Sequence, residues 1–128
     1  MDFANAQVLV NRFMENELGL TFVTTIPDTR PARFVRTIRT GGYRRDIITD
    51  VARLTFECWA EKKITAERDA QNVRAAADRM RGQTYSGIKV HQVDEIAGPD
   101  DNPDPDSTMP RYTITLEFHL RGRYTRSI

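Results

Sequence analysis

The sequence predicts an α+β domain in which an antiparallel or mixed β-sheet carries two helices packed on one face. Three observations indicate this class. Two segments repeat apolar residues at helical spacing, five alternate apolar with polar residues, and glycine or proline marks most of the connections. The predicted order is α-β-β-β-α-β-β. Residues 1–128 are predicted to form a single domain, because a chain of this length can bury roughly two-thirds of its unfolded surface in one core.

The two helical segments have recognisable ends. The first is predicted to run from Asp2, an N-capping residue, to Leu18, and Gly19 follows where left-handed backbone ends a helix. The second is predicted to begin at an N-cap, Thr65, and to end near Arg81. Its inner stripe is rich in alanine, whose small side chain lets a helix approach a sheet closely. The stripe comprises Ala66, Ala70, Val73, Ala77 and Met80.

The segment from Pro31 to Ala60 is predicted to be a β-hairpin on which the other elements pack. Gly41-Gly42 supplies the positive φ angles of a tight hairpin turn. In the strand that ends at Ala60, an apolar row alternates with a polar row, which is typical of an antiparallel sheet with one covered face. In the strand before the glycines, the residues predicted to share the apolar face are Ala32, Phe34 and Ile38.

The remaining segments complete the sheet. Residues 20–25 are predicted to form a short strand, and residues 84–96 a longer one. A loop at about 97–110 is rich in proline and aspartate, so we expect it to be irregular and mobile. Residues 111–121 alternate most regularly of all, and their length predicts either a central strand or one that projects beyond the domain. Residues 122–128 are expected to form an exposed C-terminal arm.

Charge is balanced overall and segregated locally. The formal net charge is +1, which argues against a dedicated nucleic-acid-binding protein. From Arg30 to Arg45 there are six arginines and no acid, whereas from Asp94 to Asp106 there are six acids and no base. Arginine outnumbers lysine 16 to 3, which a GC-rich genome or selection for bidentate contacts could each explain.

Cysteine, histidine and acidic residues are present, but without the neighbouring residues that a catalytic or metal-binding site needs. Cys58 lies on the apolar face of a strand, where we expect a small buried core residue and not a nucleophile. His91 and His119 could meet on neighbouring strands, and with Glu117 could bind a metal, but solvent-facing histidines are expected. The acidic loop lacks the spacing of a calcium site. We therefore predict no enzyme, no cofactor and no metal.

The N-terminal segment indicates no targeting signal. It lacks the basic region and the small-residue cleavage site of a signal peptide, and no stretch approaches the ~20 apolar residues of a membrane span. The single cysteine excludes an internal disulfide framework. We expect a soluble protein that remains where it is made or joins an assembly there.

Aromatic and charged residues provide candidates for a subunit or partner interface. Trp59 projects from the polar side of its strand, where it either covers a second small core or anchors an interface. The arginine-rich segment forms either a solvated face or a surface for acidic groups of a neighbour or DNA phosphates. The candidate interface residues are Arg33, Arg36, Arg39, Arg44, Arg45, Trp59, Asp100, Asp101, Asp104 and Asp106.

Three segments resemble the tail terminator proteins of long-tailed, siphovirus-like phages, particularly those of actinobacterial hosts. They are PARFVRTIRTGGYRRDIITDVARLTFECWA, RAAADRMRG and PDPDSTMPRYTITLEFHLRG. The resemblance lies in their order along nearly the whole chain. The sequence departs from the pattern at Ile47-Ile48 and Val51-Ala52, where a more polar bend is expected.

The resemblance implies a structural protein of the virion, located at the tail and neck and present in the host cytoplasm during assembly. Such proteins form a ring, usually hexameric, on the head-proximal end of the tail tube. The ring stops tube polymerisation and docks the head-tail connector protein, and viral DNA passes through the lumen without sequence-specific binding. The partners implied are copies of the chain, the major tail tube protein and the connector, with no membrane.

A closed ring needs two different complementary surfaces on each subunit. The arginine-only and the acid-only segments are candidates for these surfaces, and the acidic loop and the C-terminal arm would become ordered on assembly. The alternatives are a head-completion or tail-adaptor protein, a nucleic-acid-binding module that uses the arginine-rich hairpin, and a small enzyme.

Overall fold

The computed structural model describes residues 2–123, which form two helices and a six-stranded mixed sheet. The predicted α+β class is confirmed. The helices are α1 (Ala6–Leu18) and α2 (Lys63–Arg79). The strands are β1 (Phe22–Val23), β2 (Arg33–Asp46), β3 (Thr49–Ala60), β4 (Thr84–Tyr85), β5 (Ile88–Asp101) and β6 (Arg111–Arg121). Neither helix has the length and apolarity needed to cross a membrane.

The sheet has the order β1-β2-β3-β6-β5-β4. Its four long strands pair with one another in the antiparallel sense, whereas the short strand β1 runs parallel to β2. The element order matches the prediction apart from β4, a two-residue strand that precedes β5. The final strand β6 is central, which is one of the two predicted possibilities, because β3 and β5 flank it.

Both helices cover the same face of the sheet and form the main core there. Leu54 of β3 pairs with Leu116 of β6, and the rings of Phe56 and Phe118 meet edge to face at 6.2 Å. The alanine-rich stripe of α2 is buried against this face, as predicted. Burying each large apolar side chain stabilises the fold by roughly 1.5–3 kcal/mol, so this face contributes most of the hydrophobic stabilisation.

Helix α1 begins later than predicted. Its N-cap is Asn5, whose side-chain oxygen accepts a hydrogen bond from the backbone N–H of Val8 at 3.2 Å. Asp2 instead exchanges backbone hydrogen bonds with Arg123, two residues beyond the end of β6. Gly19 ends the helix at φ 67°, as predicted, because the left-handed conformation lets its N–H bond back to the last turn.

Helix α2 begins before the predicted cap. Lys62 occupies the N-cap position without a side-chain hydrogen bond, and Thr65 lies inside the first turn. The position of this helix is therefore determined more by the stripe of small residues that packs on the sheet than by its N-cap. The helix ends at Arg79, and Gly82 follows at φ 73°.

The turn of the hairpin is not at the two glycines, so this prediction was wrong. Gly41 and Gly42 lie within β2 at a bulge, with φ values of 118° and 112°. The chain reverses at residues 47–48, and the N–H of Ile48 donates to the carboxylate of Asp46 at 2.9 Å. The strand character of the residues on both sides lets the pairing continue past the glycines, and a bulge uses the same positive φ that a turn would.

The two faces of β2 are exchanged relative to the prediction. Val35 pairs with Cys58 and faces the helices, whereas Phe34 pairs with Trp59 on the opposite face. Directly opposed residues of neighbouring strands point to the same side. Both sides of β2 carry large apolar residues, so alternation alone could not decide which row meets the helices, and a shift by one residue inverts the assignment.

The predicted irregular loop at about 97–110 is ordered over its first part. Strand β5 continues to Asp101, with irregular register near residues 91, 96 and 98–99, and the loop proper covers residues 102–110. Pro99 is tolerated because β5 is an edge strand over this stretch and needs no donor on its outer side. The N–H of Asn102 bonds to the carbonyl of Arg111 at 3.1 Å, which ties the loop to β6.

The predicted C-terminal arm lies mostly outside the described residues. Gly122 donates to the carbonyl of Ile48 at 2.7 Å, so the beginning of this segment is held against the hairpin turn. Residues 124–128 fall beyond the part of the chain that the structure describes.

Candidate functional site

The first half of the arginine-rich segment is paired within the subunit. Arg33 lies on the helix-covered face, and its Nε donates to Asp69 of α2 at 2.8 Å. The carboxylate of Asp69 is fully buried, and the hydrogen bond to it raises the pKa of Arg33. Arg33 therefore compensates a buried charge, which is a stabilising role within the fold.

Arg36 and Arg39 are also paired within the subunit. Arg36 Nε donates to Glu57 at 2.6 Å, and Arg111 contacts the other oxygen of the same carboxylate at 3.3 Å. Arg39 contacts both oxygens of Asp50 at 3.1 and 3.2 Å. The hypothesis that this half of the segment is a free positive surface was wrong, because acids on neighbouring β3 meet these arginines.

Trp59 is fully buried, so of the two roles predicted for it the structure shows the second small core and not the exposed interface anchor. It points away from the helices, as expected, and its ring stacks on Phe34 at 4.9 Å with an interplanar angle of 14°. The guanidinium groups of Arg30, Arg36 and Arg111 lie 5.5, 5.9 and 5.5 Å from its ring centroid. Trp59 and Phe34 therefore form a second small core on this face, which is one of the two roles that the sequence predicted. Arginines from the segment before β2, from β2 and from β6 lie over this core.

The second half of the arginine-rich segment lies on an open strand. Every residue from 39 to 46 is exposed, and within residues 2–123 Arg44 has no ion pair. Arg45 contacts Asp46 at 3.4 Å and His119 at 3.4 Å. These two arginines therefore lie on the open part of the strand, where a partner could contact them.

The acidic segment likewise contains some residues that are paired within the subunit and others that are exposed. Asp104 is buried and accepts from Arg30 at 3.2 Å, so this contact joins the two segments inside one subunit. Asp101 pairs with Lys63 at 2.6 Å. Asp100 and Asp106 are exposed and have no ion pair among the described residues. The pKa of Asp104 is lowered, chiefly by the backbone N–H of Asp106 and then by Arg30.

The helix-free face carries a ladder of polar pairs that the sequence did not predict. Arg53 donates twice to Glu117, at 3.0 and 2.8 Å, across the β3–β6 pair. The hydroxyls of Thr55 and Thr115 lie 2.9 Å apart on the same two strands. The polar rows of the two strands gave the signal for this ladder, but only the register showed that opposite charges face each other.

The ladder continues to β5 through a histidine. Nε2 of His119 lies 2.9 Å from Asp94, whose pKa is lowered by a hydrogen bond from Gln92 first and from His119 next. Burial lowers the pKa of the other histidine, His91, with Lys89 as the next cause. Within residues 2–123 no group of three or more His, Cys, Asp or Glu side chains is arranged to hold a metal ion.

The sheet has two open edges, which we name the β2 edge (residues 39–46) and the β5 edge (residues 91–101). Strand β1 pairs only with residues 35 and 36 of β2, and β4 pairs only with residues 88 and 89 of β5. Within the described chain, no backbone hydrogen bonds extend the ladder on the outer side of either edge. Large exposed apolar residues occur at both edges. Tyr43 lies on the β2 edge, Ile47 follows directly after that edge, and Ile96 lies on the β5 edge.

The remaining candidates for chemistry lack the required geometry. Cys58 is buried, and burial raises the pKa of its thiol, which disfavours the nucleophilic thiolate. A groove of about 550 Å³ lies between α1 and the β4–β5 turn, and its apolar floor includes Leu9, Phe13 and Tyr85. Its lining contains no His, Cys, Asp or Glu, so it offers no acid–base pair.

No protein family model and no curated protein matches the chain. The resemblance to tail terminator proteins is therefore carried by the three sequence segments alone.

Proposed function

We propose that this protein is a structural component of a phage tail, which forms a ring at the head-proximal end of the tail tube. The ring stops tube polymerisation and docks the head-tail connector protein. The proposal combines the sequence resemblance with one structural observation, which is that a single sheet ends in two open edges of different chemistry.

Two unlike edges are what a closed ring requires of each subunit. In a ring every copy presents one surface to the copy before it and a different surface to the copy after it. The β2 edge and the β5 edge lie on opposite sides of the sheet, because two long strands, β3 and β6, separate β2 from β5. This placement supports a chain of copies in which each subunit contacts one neighbour through its β2 edge and the other neighbour through its β5 edge.

The charges at the two edges favour unlike contacts. Arg44 and Arg45 lie on the β2 edge, whereas Asp100 and Asp101 lie on the β5 edge. Pairing β2 with β2, or β5 with β5, would bring like charges together, which costs several kcal/mol when they are closely juxtaposed. The segregation of charge along the sequence therefore supports head-to-tail contacts, although fewer residues take part than the sequence suggested.

The charge balance also supports passage of DNA without tight binding. Affinity for the phosphate backbone comes from uncompensated lysines and arginines. The formal net charge is only +1, and carboxylates of the same subunit pair with Arg36 and Arg53 on the helix-free face. A nucleic-acid-binding module would be expected to leave such arginines free.

Electron micrographs of the purified protein and a tube-growth assay test the proposal. We expect ring-shaped particles, and tubes that become shorter as the protein is added to polymerising tube protein of the same phage. The heat-unfolded protein serves as the control. A protein that stays monomeric at all concentrations and leaves tube length unchanged would refute the proposal, and a ring that binds the connector but not the tube would indicate an adaptor instead.

A further inference from the structure

The direction of the strands at the two edges is fixed by the topology. The four long strands β2, β3, β6 and β5 are adjacent in that order and each is antiparallel to the next. Because their number is even, β2 and β5 run in opposite directions. The two open edges of one subunit are therefore antiparallel to each other.

Rotation about a ring axis preserves the direction of every strand relative to that axis. The β2 edge of one copy would therefore approach the β5 edge of its neighbour in the antiparallel sense. With four long strands in each copy, the alternation of directions continues across every boundary, whatever the number of copies. An odd number would have placed a parallel pair at each boundary.

We infer that copies of this chain join edge to edge, with the β2 edge of one copy paired against the β5 edge of the next, so that the sheet continues across the subunit boundary. The inference rests on the proposed ring and assigns the surface that builds it. Backbone N–H and C=O groups on the open sides of both edges would gain partners, which is the physical basis of strand addition.

Side chains at both edges suit this contact. Tyr43 is 55% exposed at one edge and Ile96 is 44% exposed at the other, so both side chains would bury apolar area if the edges joined. Across the sheet, Tyr43 lies level with Gln92, because Tyr43 pairs with Val51, Val51 with His119, and His119 with Gln92. The stretches that lie level, 39–43 and 92–95, would meet first, and this alignment places Arg39 opposite Glu95. Arg44 and Arg45 would meet Asp100 and Asp101 only with one edge offset along the other.

The irregularities of the edges limit the pairing without preventing it. Bulges interrupt both edges, and Pro99 cannot donate a hydrogen bond. Such features protect edge strands from indiscriminate association. A longer pairing requires one edge to slide along the other, and a closed sheet accommodates such an offset by tilting its strands relative to the ring axis.

Substitution of Ile96 by lysine tests the inference. Ile96→Lys places a cation on the β5 edge where it would meet the arginine-bearing edge of the neighbour, so we expect self-association to weaken at least about tenfold. Val8→Lys is the matched control, because Val8 is 48% exposed on α1, outside both edges, and should leave association unchanged. Circular dichroism and thermal melting establish that both variants fold.

Hydrogen–deuterium exchange tests the backbone pairing directly. Amides of the β2 edge should become protected at concentrations above the assembly threshold and exchange freely below it. If Ile96→Lys assembles like the wild type, or if assembled protein exchanges these amides as fast as free subunits, the edge pairing is wrong while the ring and its effect on tube growth stand. If the wild type never self-associates, both the pairing and the proposed function fail.

Discussion

Truncation of Trp59 distinguishes a core residue from an interface residue. The ring is fully buried in the subunit, stacks on Phe34, and lies beneath the guanidinium groups of Arg30, Arg36 and Arg111. Trp59→Ala removes all of these contacts at once and leaves a cavity on the helix-free face. We therefore expect the free energy of unfolding of the isolated subunit to fall, independently of any assembly.

The expected loss follows from the kind of contact removed. Replacing a fully buried Phe or Trp by Ala costs about 3–5 kcal/mol. The stacked Phe34 adds about 0.5–1.5 kcal/mol beyond the buried area, which favours the upper part of that range. At roughly 4 °C for each kcal/mol, the midpoint of thermal unfolding should fall by about 15–20 °C. Trp59→Phe keeps an aromatic ring against Phe34 and should lose only about 2 kcal/mol.

Urea denaturation followed by circular dichroism, at concentrations where the protein is monomeric, measures both variants. Since the chain has a single tryptophan, acrylamide quenching of the wild-type fluorescence also reports its burial, and quenching should be weak in the native state. The reasoning is refuted if Trp59→Ala loses less than about 1 kcal/mol and instead abolishes self-association, because Trp59 would then be an interface residue.

Two further predictions concern the glycine bulge and acid stability. A Cβ at residue 42 would lie 1.9 Å from the carbonyl oxygen of Val51, so Gly42→Ala should destabilise the protein by about 3 kcal/mol or more in urea denaturation. Gly41→Ala has a similar φ but open space around it and should cost only about 1–2 kcal/mol; equal losses would contradict the bulge geometry. Acid should destabilise the protein as the pH falls below about 4, because hydrogen bonds to their charged forms lower the pKa values of four carboxyl groups. These are Asp46, Asp94, Glu95 and Asp104. Their stabilising contribution is complete above the unfolded-state pKa values and is lost as the pH falls through the folded ones, so a melting temperature that stays constant from pH 6 to pH 2 would argue against it.

Periodicity along the sequence identified the types of most elements. The alanine-rich stripe of α2 and the alternation of β6 each describe one buried face, and both faces are buried as expected. The glycine that ends α1 was also recognised, because a left-handed C-terminal residue has a strong local signature. By contrast, Gly41-Gly42 has two structural uses, a turn or a bulge, and local sequence does not distinguish them.

The candidate site could be predicted only in part. The sequence located the charged segments, and the structure places their outer parts on two open sheet edges. The sequence did not show that Arg33 would meet Asp69 or that Arg36 would meet Glu57, because these pairs depend on packing and register. Trp59 was assigned to the correct face, but its burial depends on Phe34 and on arginines that other segments bring to it.

By itself the sequence determined the α+β class, the buried face of α2 and β6, and the separation of positive from negative segments. These properties follow from the spacing of residues within single elements, where helix and strand geometry act locally. The tertiary structure alone decided which row of β2 faces the helices, which arginines are neutralised inside the subunit, and which strands remain open at the edges. Those outcomes depend on partners such as Arg53 and Glu117, which lie 64 residues apart and meet only when the register of the sheet is set.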